Sequence, residues 1–183
     1  CAEVVLADDP NFVAKVKERA LGADVIQSDR GGDVTFHGPG QLVGYPVFRL
    51  EDMPCGRDLH CFLRLLEAAL IDALESLGVS AFTVANKTGV WTNEGKIAAI
   101  GLRCARWVSM HGFALNVDTD LRWFSHIVPC GLSEPVTSLR ALGLTTDMAS
   151  ARKRCLDAIC RHFEVVAEHV EPRGVVQMIA NGQ

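Results

Sequence analysis

The sequence predicts an α/β sandwich built on a mixed sheet, and three observations carry that expectation. Two stretches, 58–77 and 146–163, repeat apolar residues at three and four, the period of a helix with one buried face. Between them, from Val90 onward, short strand-like runs are separated by short polar stretches, as an antiparallel meander requires. Strands and helices do not alternate strictly, so a sheet wound only by parallel crossovers is not expected. The 183 residues suit one domain over 1–183, because two independent cores would each fall below the usual size.

Ala2–Ala7 is strand-like. Asn11 can cap a short helix to about Leu21, with Gly22 in the position a C-terminal glycine favours. Ala23–Ser28 reads as a strand, and Arg30–Gly44 as a glycine-rich irregular stretch. Leu42–Leu50 follows as a strand whose Pro46 suits an edge or a bulge. The clearest helix runs from Asp58 to Leu77, with Phe62, Leu66, Leu70 and Leu74 in its apolar stripe and Gly78 as its stop. Val90–Thr92, Lys96–Arg103, Arg106–Met110 and Gly112–Val117 are the strands of the meander. A second helix spans about Thr146 to Phe163, with Met148, Ala151, Cys155, Ile159 and Phe163 on one face.

Composition excludes several classes. With 18 basic and 22 acidic residues the net charge is −4, which argues against a general nucleic-acid binder. No apolar run approaches the roughly 20 residues of a membrane span, and the first residues do not read as a secretory signal. Seven cysteines without a C-x-x-C pair read mostly as small buried hydrophobes in a reducing compartment.

Three segments can carry chemistry. Five glycines and a proline within Arg30–Gly44 are costly to order, and glycines let backbone amides approach a ligand; a mobile surface loop is the plain alternative. A phosphate-binding loop does not fit, since no Gly-Lys-Ser/Thr follows. Lys96 heads an apolar strand, where desolvation lowers a lysine's pKa, although taken by itself a snorkelling strand-end lysine is the better reading. Small residues at Ala99, Gly101, Gly112 and Ala114 leave space beside the strands. Cys130 stands between proline and glycine, in a tight turn that can expose its sulfur. His37 or His111 could instead pair with Cys130, as in a cysteine hydrolase or amidase.

Together the strings Arg30-Gly-Gly-Asp-Val-Thr-Phe-His-Gly-Pro-Gly-Gln41, Gly89-Val-Trp91, Lys96-Ile-Ala-Ala-Ile-Gly101, His111-Gly-Phe-Ala-Leu-Asn116, Pro129-Cys-Gly131 and Thr137-Ser-Leu139 closely resemble the lipoyl (octanoyl) transferases. The match runs from about residue 23 to about residue 163. The resemblance implies a fold like the catalytic domains of lipoate- and biotin-protein ligases. It implies transfer of octanoyl from acyl carrier protein to a lysine of lipoyl domains, such as the glycine cleavage H protein and the acyltransferase subunits of 2-oxoacid dehydrogenases. It implies Cys130 as the acyl-thioester nucleophile and Lys96 as the group that lowers its pKa and moves protons. Substrate contacts are implied at Arg30, Gly31, Gly32, Asp33, Val34, Thr35, Phe36 and His37, and at Ala99, Ile100, Gly101, Gly112, Phe113 and Ala114.

Neither metal nor ATP is implied, since the substrate arrives as a phosphopantetheine thioester; an ATP-dependent lipoate-protein ligase is the alternative within the same fold. The implied setting is the bacterial cytoplasm, or the mitochondrial matrix in a eukaryote. Family members carry a further N-terminal segment with a His-Pro-Pro-like stretch and a Tyr-Thr-x-Gly strand. No residues here match it, so the chain is expected to be truncated at that end. Because lipoyl domains and acyl carrier proteins are typically acidic, a basic patch is expected among Arg103, Arg106, Arg152, Lys153 and Arg154, although the Arg152–Arg154 run reads more readily as a solvated face.

Overall fold

The computed structural model describes residues 3–6, 24–31, 34–125 and 135–168. Its strands are β1 (Glu3–Leu6), β2 (Asp24–Gln27), β3 (Thr35–His37), β4 (Gln41–Gly44), β5 (Val90–Thr92), β6 (Gly95–Ala105) and β7 (Val108–Asn116). Its α-helices are α1 (Leu59–Glu75) and α2 (Met148–Phe163). The expected helix over 11–21 lies outside the described residues.

The α/β architecture is as expected, but the strands form two sheets. The smaller, ordered β2-β1-β3, is mixed: β1 runs parallel to β2 and antiparallel to β3. The larger, ordered β4-β7-β6-β5, is wholly antiparallel. The strand expected over 42–50 stops at Gly44. Beyond it Pro46 has no N–H to give a ladder, and the chain rejoins only at an Arg49–Val108 bridge before a short 3-10 turn, Leu50–Asp52. The two strands read over 106–117 are one. Arg106 and Trp107, with φ of 51° and 61°, make the two-residue turn from β6 to β7, and pairing continues through Gly112.

Asp58 caps α1 by accepting the Cys61 N–H at 3.0 Å, and Asp147 caps α2 by accepting the Ser150 N–H at 2.6 Å. The helices lie together on one face of the larger sheet. Phe62, Leu66, Leu70 and Leu74 of α1 and Ala151, Cys155, Ala158 and Phe163 of α2 share a core with Ile97, Ile100, Phe113 and Leu115. The Phe62 and Phe163 ring centroids are 5.0 Å apart. Each fully buried Leu or Phe contributes about 1.5–3 kcal/mol, so this face holds the site's platform rigid.

The cysteine expectation needs correcting. Cys55 and Cys61 form a disulfide, because the turn at Gly56 brings their Cα atoms to 5.6 Å. Cys104, Cys155 and Cys160 are free, and of these only Cys155 is buried.

Candidate active site

Lys96 is the second residue of β6, half-buried, at an irregularity of the ladder. Val90 and Trp91 are adjacent, yet their partners are Ala98 and Lys96, so β6 carries one extra residue there. A bulge of this kind re-aims a side chain. The Lys96 Nζ lies over the Trp91 ring, 4.9 Å from its centroid. The lysine stem passes over Gly89, where a built Cβ would stand 2.6 Å from Lys96 Cε and 2.6 Å from the Ala98 carbonyl oxygen. Gly89 takes φ of +131°, a conformation that glycine tolerates far better than other residues, and its N–H donates to Glu67 Oε1 at 3.0 Å. Glu67 sits on α1 at 1 % exposure, and Arg64 Nη1 donates to its other oxygen at 2.5 Å. A buried carboxylate of the core helix thus fixes the backbone under the lysine.

The Lys96 backbone is also tied down. Its N–H donates to the Pro135 carbonyl at 2.8 Å, and its carbonyl accepts from Thr137 N–H at 3.0 Å. Pro135 follows Cys130 by five residues in the chain. Cys130 itself, with Gly32 and Asp33, lies outside the described residues.

The sheet face turned away from the helices is poor in side chains. Ala99 pairs with Ala114 and Gly101 with Gly112 across β6 and β7, on the side opposite to Ile100 and Phe113. Those two enter the core, so their side chains are not offered to a ligand on the outer face. Part of the space expected beside the glycines is filled by protein. Gly31 N–H donates to the Leu102 carbonyl at 3.0 Å, and a Cβ on Gly101 would meet Gly31 O at 2.8 Å. A Cβ on Gly112 would meet Gly44 O at 2.0 Å. These glycines therefore admit neighbouring backbone, and Arg30–Gly31 packs directly on β6.

The end of the Gly-rich stretch is more ordered than expected, since Thr35–His37 forms β3. Val34 and Phe36 are buried, Phe36 stacking on Trp123 with centroids 5.4 Å apart, while Thr35 and His37 are half-buried. His37 Nδ1 is 2.7 Å from Gln41 Oε1. Gln41 Nε2 donates to Asn116 Oδ1 at 2.9 Å, and Asn116 Nδ2 donates to the Thr137 carbonyl at 3.0 Å. His111, at φ of 61°, lies 3.0 Å from Asp29 through Nε2. Burial, then the guanidiniums of Arg30 and Arg103, hold its pKa below the ordinary histidine value despite that carboxylate.

The free cysteines differ in character. Burial pushes the Cys155 thiol up to about 12, which makes it an inert packing group. Of the expected basic residues, Arg103 pairs with Asp29 and Lys153 with Asp157. Arg106 is exposed at the β6–β7 turn, and Arg152 and Arg154 are exposed on α2.

Residues 10–160 match the family model of the lipoyl protein ligase A/B catalytic domain. The chain is 51 % identical over 148 residues to the octanoyltransferase of Solibacter usitatus, covering 81 % of this chain and 64 % of that relative. It therefore spans less than two thirds of that relative's length. Among solved structures, a lipoate-protein ligase A bound with ATP superposes with a TM-score of 0.74 at 18 % identity, covering 92 % of this chain and 72 % of the other. A biotin protein ligase from Aquifex aeolicus, in complex with biotin and ATP, gives 0.57 at 16 % identity, covering 87 % and 69 %. These two likenesses establish the fold.

Proposed function

The chain belongs to the lipoyl protein ligase A/B catalytic domain family, and on that premise we propose that it is an octanoyltransferase. It takes octanoyl from octanoyl-acyl carrier protein as a thioester on Cys130 and passes it to the lysine of a lipoyl domain. The observation that carries this reading is the 51 % identity to a named octanoyltransferase over four fifths of the chain; the ligases of similar fold superpose at 18 % identity or less. The relative is bacterial, which favours a bacterial setting. Among the described residues no helix is long and apolar enough to cross a membrane.

The chemistry follows from one thiol and one amine. A free thiol with a pKa of about 8.5 is only a few per cent thiolate at neutral pH. An ammonium at Lys96 raises that fraction, and the backbone bonds from Lys96 to Pro135 and Thr137 support a shared site with Cys130. The Cys130 thiolate attacks the octanoyl thioester carbonyl, the carbon–sulfur bond to phosphopantetheine breaks, and the leaving sulfur takes the Lys96 proton. The acceptor lysine amine then attacks the Cys130 thioester, Lys96 accepts the amine's proton, and the thiolate is released. Thioester exchange is nearly isoenergetic and thioester-to-amide transfer runs downhill, so the transfer does not have to be driven by ATP. The Ala99, Gly101, Gly112 and Ala114 face, with Arg30–Gly31 beside it, is the acyl site in this reading, and Val34–His37 are proposed to contribute substrate contacts. Each methylene buried there contributes about 0.8 kcal/mol.

Intact mass after incubation with octanoyl-acyl carrier protein, without ATP, tests this. One octanoyl increment is expected on the wild type and none on Cys130→Ala. An adduct that persists on Cys130→Ala refutes the assignment. A requirement for ATP with free octanoate would mean a ligase, and release of free octanoic acid in place of transfer would mean a hydrolase.

A further inference from the structure

We infer that Gln41 and Asn116 are positioning residues that lock His37 as its Nδ1–H tautomer, making Nε2 the ring's acceptor atom. The inference rests on a chain of choices, each forced by the one before. The Thr137 carbonyl can only accept, so the group of Asn116 that faces it at 3.0 Å must be the amide NH2. Asn116 Oδ1 therefore faces Gln41, and only the Gln41 NH2 can meet it at 2.9 Å. That turns Gln41 Oε1 to the imidazole. A carbonyl oxygen 2.7 Å from a ring nitrogen requires a proton on that nitrogen, so Nδ1 carries it. In the neutral ring Nε2 is then left without a hydrogen and can only accept.

The frame that holds these groups is rigid enough to enforce the choice. Asn116 is 4 % exposed, and its backbone carbonyl accepts from Leu139 N–H at 3.0 Å. Gln41 lies opposite Asn116 in the β4–β7 ladder. Thr137 is fixed in turn by its bond to the Lys96 carbonyl. The relay thus runs from the backbone of β6, through β7 and β4, to a histidine at the end of β3. Each amide has its alternative orientation blocked, because a flip would set two oxygens or two NH2 groups face to face inside the protein.

The tautomer fixes what Nε2 can do: it accepts from the donor that faces it and cannot donate. The assignment does not depend on the octanoyl-transfer reading.

The test is nitrogen-15 NMR of the full chain labelled at histidine, with the His37 signals identified by their loss in His37→Asn. At a pH where the ring is neutral, wild-type His37 should be mainly the Nδ1–H tautomer. A mainly Nε2–H ring in the wild type overturns the inference, with no variant or activity needed. Gln41→Leu removes the acceptor and should shift the population toward Nε2–H. An unchanged tautomer in folded Gln41→Leu would show that the relay does not set it.

Discussion

Replacing Gly89 by alanine probes the support beneath Lys96 directly. The residue's φ of +131° lies where an L side chain is strained, at a cost of order 1–3 kcal/mol. The added methyl would also stand 2.6 Å from the Ala98 carbonyl, a backbone atom held in the β6–β7 ladder that cannot swing away. Overpacking of this kind costs about 1–3 kcal/mol more. The third contact, Lys96 Cε at 2.6 Å, is with a flexible chain that can move, and moving it takes the ammonium off Trp91. The expected loss of about 2–6 kcal/mol is a large part of the 5–15 kcal/mol that holds a typical domain. Gly78→Ala is the control: φ there is +83°, but nothing lies within 4 Å of the built Cβ, so only the strain remains. Urea unfolding of the two variants beside wild type, with octanoyl transfer measured on the folded proteins, reads both effects. Equal midpoints for Gly89→Ala and Gly78→Ala, with wild-type transfer in both, would refute the reasoning.

In native protein at pH 8, Cys155 should resist iodoacetamide while Cys104 reacts, because burial pushes the Cys155 thiol up to about 12; equal labelling rates by mass spectrometry would contradict this. His111 has a folded pKa below its unfolded value, so its contribution to stability is present above about pH 6.5 and is lost as pH falls through the folded value. Denaturant titrations at pH 8 and pH 5 should therefore differ less for His111→Gln than for wild type. Asp58→Ala removes the acceptor of the Cys61 N–H and should cost about 1 kcal/mol in thermal unfolding, most of it recovered by Asp58→Ser.

Both helices were legible because their apolar residues recur at helical spacing, whereas the capping roles of Asp58 and Asp147 came only with the structure. The β6–β7 turn was not: Arg106-Trp107 takes positive φ at both positions without the Asn-Gly or Asp-Gly chemistry that announces such a turn. Lys96 and the small residues beside it could be found from composition, but whether that space was open could not. Gly101 and Gly112 read as room for a ligand, and the room is partly occupied by Gly31 and Gly44, which tertiary packing alone decides. Glu67 left a signal that went unread, a lone acid three residues before Leu70 and four after Leu63 on the apolar stripe. Gln41, Asn116 and Thr137 stood inside recognisable strings, yet their roles appear only when β4, β7 and the 135–137 segment meet.

That same short turn sets the order in which the molecule assembles. A two-residue connection lets β6 and β7 pair at once, and hairpins of this size form in about 1–10 μs. The bonds of Lys96 to Pro135 and Thr137 span roughly 40 residues, and Gln41 reaches Asn116 across 75, so loop closure delays them. The corner where Lys96 meets Pro135 and Thr137 is therefore completed late, on a hairpin that already exists. Substitutions in the hairpin should slow folding, whereas Gln41→Leu should chiefly speed unfolding, a contrast that stopped-flow chevrons would read directly.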